Sequence, residues 1–272
     1  MEQEATFHYF VVSDSIGETG LAVARSALTQ FPKIKSMLHS HTFITSEEGL
    51  IEVLDEALEL DAFVFGTITN PQLMTVIDDY EKNKGLIFFD ILGPIIQQIG
   101  FRTGNEPMEI PGAEYQLTDK YFSRIKAMEF CIAYDDGKDP TGFYESDIII
   151  LGVSRTGKTP LSMYLANEGY KVSNLPIIPE TDLPEELFKI DRKRIIGLTN
   201  EPESIQGHRL NRMREYGMPE TSRYASLERA QEEIAFSDEL YRRLAVPVIN
   251  VHNRSIEETA SLIIQILNLK PL

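Results

Sequence analysis

Eight consecutive residues carry the clearest chemistry in this sequence: Gly152, Val153, Ser154, Arg155, Thr156, Gly157, Lys158 and Thr159. A glycine, four residues and then Gly-Lys-Thr is the spacing of a loop that wraps a phosphate. Glycines let backbone N–H groups turn inward around an anion, because they accept φ values that a Cβ forbids. The Lys158 ammonium can meet the outermost phosphate oxygens, and the Thr159 hydroxyl can ligate Mg²⁺. All eight residues are therefore candidates to bind a nucleotide, with Thr159 the candidate metal ligand. Arg155 lies inside the loop, where it can clamp a second anion or stabilise charge in transfer. The plainer alternative is a surface arginine facing solvent.

Phosphate chemistry also needs a carboxylate to hold a metal or take a proton. Neither of the next two strand-like runs, "KVSNLPII" and "KRIIGLT", supplies one. The candidates lie upstream: Asp135 and Asp136 in "YDDG", and Asp147 just before "IIIL". Each could equally be a turn or cap residue. Together with Lys158 and Arg155 they make up the candidate catalytic set. A basic run, with Lys189, Arg192, Lys193, Arg194, His208, Arg209, Arg212 and Arg214, could bind phosphate or an acidic protein surface. A solvated helix face explains such a run as well. Cys131 reads as a buried small side chain.

The elements that must position these groups alternate. "FHYFVVS", "MLHSHTFIT", "AFVFGTI" and "GLIFFDI" are strand-like, each followed by a helical pattern, and Ser46 is placed to cap the second helix. The glycine loop leaves the buried-strand pattern "DIIIL" and enters the helical "PLSMYLANEGY". "YKVSNLPII", "KRIIGLT", a long helix near 224–244, "PVINVHN" and "SIEETASLIIQIL" complete a second series. Such alternation predicts parallel sheets covered by helices. The segment 100–117, rich in Gly and Pro, is the candidate boundary. After it, 118–137 reads as a capped helix with Tyr121, Phe122, Ile125 and Met128 on one face. The expected fold is α/β: an N-terminal doubly wound parallel-sheet domain (1–105) plus a C-terminal P-loop kinase-like α/β domain (115–272). Regulation, partner binding or a homodimer contact are the roles open to the first domain.

Composition narrows the classes. The net charge of −16 argues against a general affinity for nucleic acid. Residues 1–140 hold 10 Lys/Arg against 23 Asp/Glu, and 141–272 hold 16 against 19, so polyanions are better tolerated in the second half. No apolar run approaches the ~18 residues of a membrane span. The acidic start lacks the order of a signal peptide, and a cytoplasmic location is expected.

"VSDSIGET", "YFSRIKAMEFCIAYDDG", "LGVSRTGKTPLSMYLANEGYKVSNLPIIPE" and "SIEETA" together resemble the regulatory proteins of pyruvate, phosphate dikinase and of phosphoenolpyruvate synthase. The resemblance covers about residues 10–265. It implies a bifunctional serine/threonine kinase and phosphorylase. One activity would move the β-phosphoryl of ADP onto a threonine of the dikinase and inactivate it. The other would use inorganic phosphate to remove that group as pyrophosphate. ADP, phosphate and Mg²⁺ are thus the expected small partners, and the dikinase or the synthase the protein partner. Against the family pattern, Ile16 replaces a polar residue, Gly157 a frequent serine, and "EYQL" (114–117) a more basic stretch. The residues alone leave two rivals: a P-loop kinase of a small metabolite, and a nucleotide sensor without turnover.

Overall fold

The computed structural model describes residues 6–115, 119–219 and 222–270. The chain divides into two compact units, residues 1–116 and 117–272. Each contains a four-stranded, wholly parallel sheet.

In the first unit the elements are β1 (Phe7–Ser13), α1 (Glu18–Leu28), β2 (Ser36–His41), α2 (Glu47–Glu59), β3 (Phe63–Thr67), α3 (Pro71–Lys84), β4 (Ile87–Asp90) and α4 (Gly93–Thr103). Strand order is β2-β1-β3-β4, so the chain reverses direction across the sheet between β1 and β3. Alternation along β1 explains the layers. Phe10 and Val12 join a core with Leu50, Leu54 and Ile77 of α2 and α3, while Tyr9 and Val11 pack with Ala24 of α1. Ser46 caps α2 as expected, its side chain accepting from the Gly49 amide.

The second unit runs α5 (Asp119–Ala133), β5 (Ile148–Gly152), α6 (Lys158–Asn167), β6 (Val172–Pro176), β7 (Ile195–Thr199), α7 (Pro202–Glu215), α8 (Leu227–Leu244), β8 (Val248–Asn250) and α9 (Ile256–Ile266). Its order, β6-β5-β7-β8, repeats the first sheet's and puts β5 at the reversal. Period two again decides which helix covers which face. Ile148 and Ile150 meet Leu161 and Leu165 of α6 and Ile263 of α9, whereas Ile149 and Leu151 meet Leu240, Tyr241 and Leu244 of α8. α9 opens with a capping box between Ser255 and Glu258.

One expectation about packing needs correction. Of the expected face of Tyr121, Phe122, Ile125 and Met128, only Met128 packs inward, half-buried; the other three are exposed, and Ala127 and Cys131 are the buried residues of α5, packed on Ala166 of α6. Small side chains let the two helices approach closely, and the larger ones are left on the far side. Thr118, the expected cap, lies outside the described residues.

Candidate phosphate site

β5 ends and α6 begins within six residues, and the intervening loop is built of strained or crowded positions. Gly152 is required sterically, since a Cβ there would sit 2.6 Å from the Thr156 hydroxyl. Gly157 caps α6 with φ 80°, in the left-handed region. Arg155 holds φ 76° without being glycine, a strain that the surrounding contacts must offset. Inside the loop the Thr156 hydroxyl donates to the Val153 carbonyl at 2.9 Å, and the Lys158 ammonium donates to the same oxygen at 3.2 Å. Lys158 is 6% exposed. Burial pushes its ammonium down to about 8, against the pull of Asp136 and Asp135. A cation so poorly solvated gains much from an arriving anion. The Arg155 Nε is buried and has no hydrogen-bond partner, a further donor awaiting an acceptor.

Three anchors fix the loop. Val153 is wholly buried against Ile205 of α7 and Ala230 of α8. The Tyr241 hydroxyl of α8 donates to the Leu198 carbonyl at 3.0 Å and to that of Leu151 at 3.3 Å, tying the ends of β7 and β5 together. Burial raises the Tyr241 phenol, so it stays a donor. The third anchor is ionic. Arg209 of α7 is 0% exposed, paired with Glu233 of α8, and donates to the Tyr224 carbonyl at 2.9 Å and the Ser154 carbonyl at 3.4 Å. The Tyr224 hydroxyl in turn meets the Ser154 hydroxyl at 3.0 Å. Glu233 also accepts from Arg229, which forks onto both oxygens of Glu180 at 2.6 Å.

The carboxylates separate into two groups. Asp135 and Asp136 occupy a tight turn after α5 beside the loop, and the Thr159 hydroxyl donates to Asp135 Oδ1 at 3.0 Å. Asn174, buried in β6, fixes that turn: its Nδ2 donates to Asp135 Oδ1 at 2.6 Å, and its Oδ1 accepts from the Asp136 amide at 3.1 Å. Asp136 is held at φ 53° and faces the cleft described next. Asp147 is not brought to the loop. It precedes β5 and accepts from the Lys171 amide at 2.8 Å, at the other end of a five-residue strand, roughly 16 Å away along the chain.

Above the loop lies a cleft of about 1280 Å³ whose walls include Arg155, Lys158, Thr159 and Asp136, together with His208 and Arg212 of α7 and Tyr216 just after it. The basic run is thus divided. Lys189 pairs with Glu185, and Arg194 donates to the Tyr144 and Ser146 carbonyls, ahead of β7. Arg209 is structural. His208 and Arg212 are the members of the run that line the cleft. The Thr159 hydroxyl and the Asp135 carboxylate, already in contact, form an all-oxygen pair of the kind a hard divalent cation takes. These residues fit Mg²⁺.

Sequence reasoning missed Asn174, Tyr224 and the Arg209–Glu233 pair. Asn174 left a trace, a polar residue inside the run "KVSNLPII" where a parallel strand covered on both faces should be apolar. The ion pair left none, because its partners are 24 residues apart in helices with polar neighbours.

Comparison with known proteins places the chain in a family. The model of the kinase/pyrophosphorylase family matches residues 9–264. An Enterococcus faecalis protein with the provisional name pyruvate, phosphate dikinase regulatory protein 2 is 47% identical over 261 residues, covering 96% of this chain and 95% of its own. Proteins provisionally named pyruvate, phosphate dikinase regulatory protein from Levilactobacillus brevis and Ligilactobacillus salivarius are 45% and 42% identical, over 94% and 95% of this chain and 93% and 96% of theirs. With a family match across nearly its whole length, the chain belongs to the kinase/pyrophosphorylase family.

Proposed function

We propose that this protein is the bifunctional regulator of pyruvate, phosphate dikinase, phosphorylating a threonine of that enzyme with ADP and removing the group by phosphorolysis. The observation that carries the reading is the junction of the Gly152–Thr159 loop with the Asp135–Asp136 turn, where the Thr159 hydroxyl meets Asp135. The relatives' names supply the protein target.

In the forward direction the loop amides, Lys158 and Arg155 hold the diphosphate of ADP. Thr159 and Asp135 would hold Mg²⁺, which supplies charge neutralisation on the phosphate oxygens when bound. Asp136 faces the cleft with its backbone strained into place, and in this reading it takes the proton of the acceptor threonine. The threonine oxygen bonds to the β-phosphorus, the bond from that phosphorus to the bridging oxygen breaks, and AMP leaves. In the other direction an oxygen of inorganic phosphate attacks the phosphorus of phosphothreonine. The phosphorus–threonine bond breaks, the threonine oxygen regains a proton from Asp136, and pyrophosphate leaves. Both directions develop negative charge at one phosphoryl group, so one cradle of cations and amides serves both.

Mixing the protein with β-³²P-labelled ADP, Mg²⁺ and the dikinase in its phosphohistidine form tests this. Acid-stable label on a threonine of the dikinase, released as labelled pyrophosphate when phosphate is added, is the expected result. Label on phosphoenolpyruvate synthase alone would move the target. Label on small hydroxyl compounds, or tight ADP binding without turnover, would replace the proposal with a metabolite kinase or a sensor.

A further inference from the structure

The arginines around the cleft fall into two classes. Arg209, Arg223 and Arg229 are neutralised by Glu233, Glu232 and Glu180. Arg212 and Arg254 meet no carboxylate among the described residues. The Arg212 guanidinium lies 5.6 Å from the Tyr216 ring centre, and Arg254 donates through Nε to the Asn250 carbonyl at 3.0 Å, which leaves its terminal nitrogens uncommitted. His208 stands one turn before Arg212 on α7, so the two share a face. The neighbouring Arg209, locked to Glu233, fixes the rotation of α7 that turns this face to the cleft.

A side chamber of about 460 Å³ adjoins the cleft between α7 and the turn after β8. His208, Asn211, His252 and Arg254 are among its walls, and among the described residues no Asp or Glu is. Arg212 stands at its mouth as a wall of the adjoining cleft, which His208 and Arg254 also line and where Glu215 is the nearby acidic wall residue on the same helix. In a chain of net charge −16, a chamber free of carboxylates is a place where an anion meets cations and neutral donors only. Guanidinium forks match the oxygens of a tetrahedral oxyanion.

We propose that Arg212, Arg254 and His208 form a second oxyanion subsite, taking a phosphate group distinct from the nucleotide phosphates held by the Gly152–Thr159 loop. That division rests on the loop being the nucleotide site. The occupant is a phosphoryl-sized dianion, supplied either as free inorganic phosphate or as the phosphoryl group on a side chain of the acceptor protein. In the phosphorolysis direction two separate cationic walls would let the cleft hold the attacking phosphate beside the phosphoryl group at the loop, with each dianion facing its own cations.

Calorimetric titration of inorganic phosphate, and separately of ADP, onto the wild type, Lys158→Ala, Arg212→Gln and Arg254→Gln tests the subsite. The dissociation constant for phosphate is expected to rise about tenfold or more in each arginine variant and to stay within about twofold in Lys158→Ala, with the opposite pattern for ADP. His208→Gln is a milder third variant, and circular dichroism checks that each remains folded. If phosphate affinity is unchanged in the arginine variants but the KM for phosphothreonine-bearing dikinase rises about tenfold, the subsite stands with a protein-borne phosphoryl group as its occupant. Both unchanged overturns it, whatever Lys158→Ala does to phosphate binding. If ADP fails to bind the wild type, the nucleotide reading of the loop falls, while the phosphate titrations still decide the subsite.

Discussion

Replacing Glu233 with alanine leaves the guanidinium of Arg209, 0% exposed, without its counter-charge. Arg229 is spared the same fate because it keeps both oxygens of Glu180. Removing one member of a buried pair costs about 3–5 kcal/mol, chiefly through the orphaned charge. Urea denaturation followed by circular dichroism should show that loss as a lower midpoint with the slope unchanged. The double variant Arg209→Met/Glu233→Leu removes both charges and fills the space, and should return to within about 1 kcal/mol of the wild type. Function should not return with it. The Ser154 and Tyr224 carbonyls have lost their shared donor, so the loop is held less firmly and phosphoryl transfer should remain slower by about tenfold or more. A Glu233→Ala cost under about 1 kcal/mol, or wild-type transfer by the double variant, would refute the assignment of this pair as the anchor of the loop.

Further expectations follow from the site itself. Lys158 is charged in the unfolded chain up to about its ordinary 10.5 but only to about 8 when folded, so the ligand-free protein carries a penalty at pH 7 that fades as pH rises from 8 to 10.5. Lys158→Met should therefore be more stable than the wild type by about 1–3 kcal/mol at pH 7, with the difference shrinking over that window, while ADP binding is lost. Near pH 8, ADP binding to the wild type should take up protons, seen as a calorimetric heat that depends on the buffer. Asp136→Asn should slow transfer by about 10²–10⁴ with ADP affinity kept, whereas Asp147→Asn, at the other end of β5, should leave transfer unchanged. Asn174→Ala should cost about 1–3 kcal/mol in stability and slow transfer, since the Asp135–Asp136 turn loses both of its fixing bonds.

Much of this was legible in the sequence, and the limits have physical causes. The eight strands among the described residues coincide with strand-like runs of the sequence. β1, β5, β6 and β7, buried on both faces, announce themselves within five residues, while the more exposed β2, β4 and β8 follow from their place in the alternation with helices. The loop follows from Gly152 and Gly157, whose spacing reflects a steric need the structure makes explicit at Thr156. The face of α5 was misjudged because burial there is decided by the fit of Ala127 and Cys131 against α6, and the larger Tyr121 and Phe122 dominate any apolar pattern. Charge near 189–214 looked like one patch because sequence neighbours at the two ends of β7 are far apart in space. Asp135 and Asp136 could not be ranked against Asp147 from spacing alone. Only the pairing of β5 with β6 brings Asn174 beside the turn and leaves Asp147 at the opposite end of the strand.

The most direct test of the account is a single-turnover measurement of β-phosphoryl transfer from labelled ADP to the dikinase, comparing the wild type with Lys158→Ala. The account predicts label on threonine and an equal amount of AMP with the wild type, and neither with Lys158→Ala. Equal transfer by both proteins would contradict it, because the Gly152–Thr159 loop could not then be where the phosphoryl group is held.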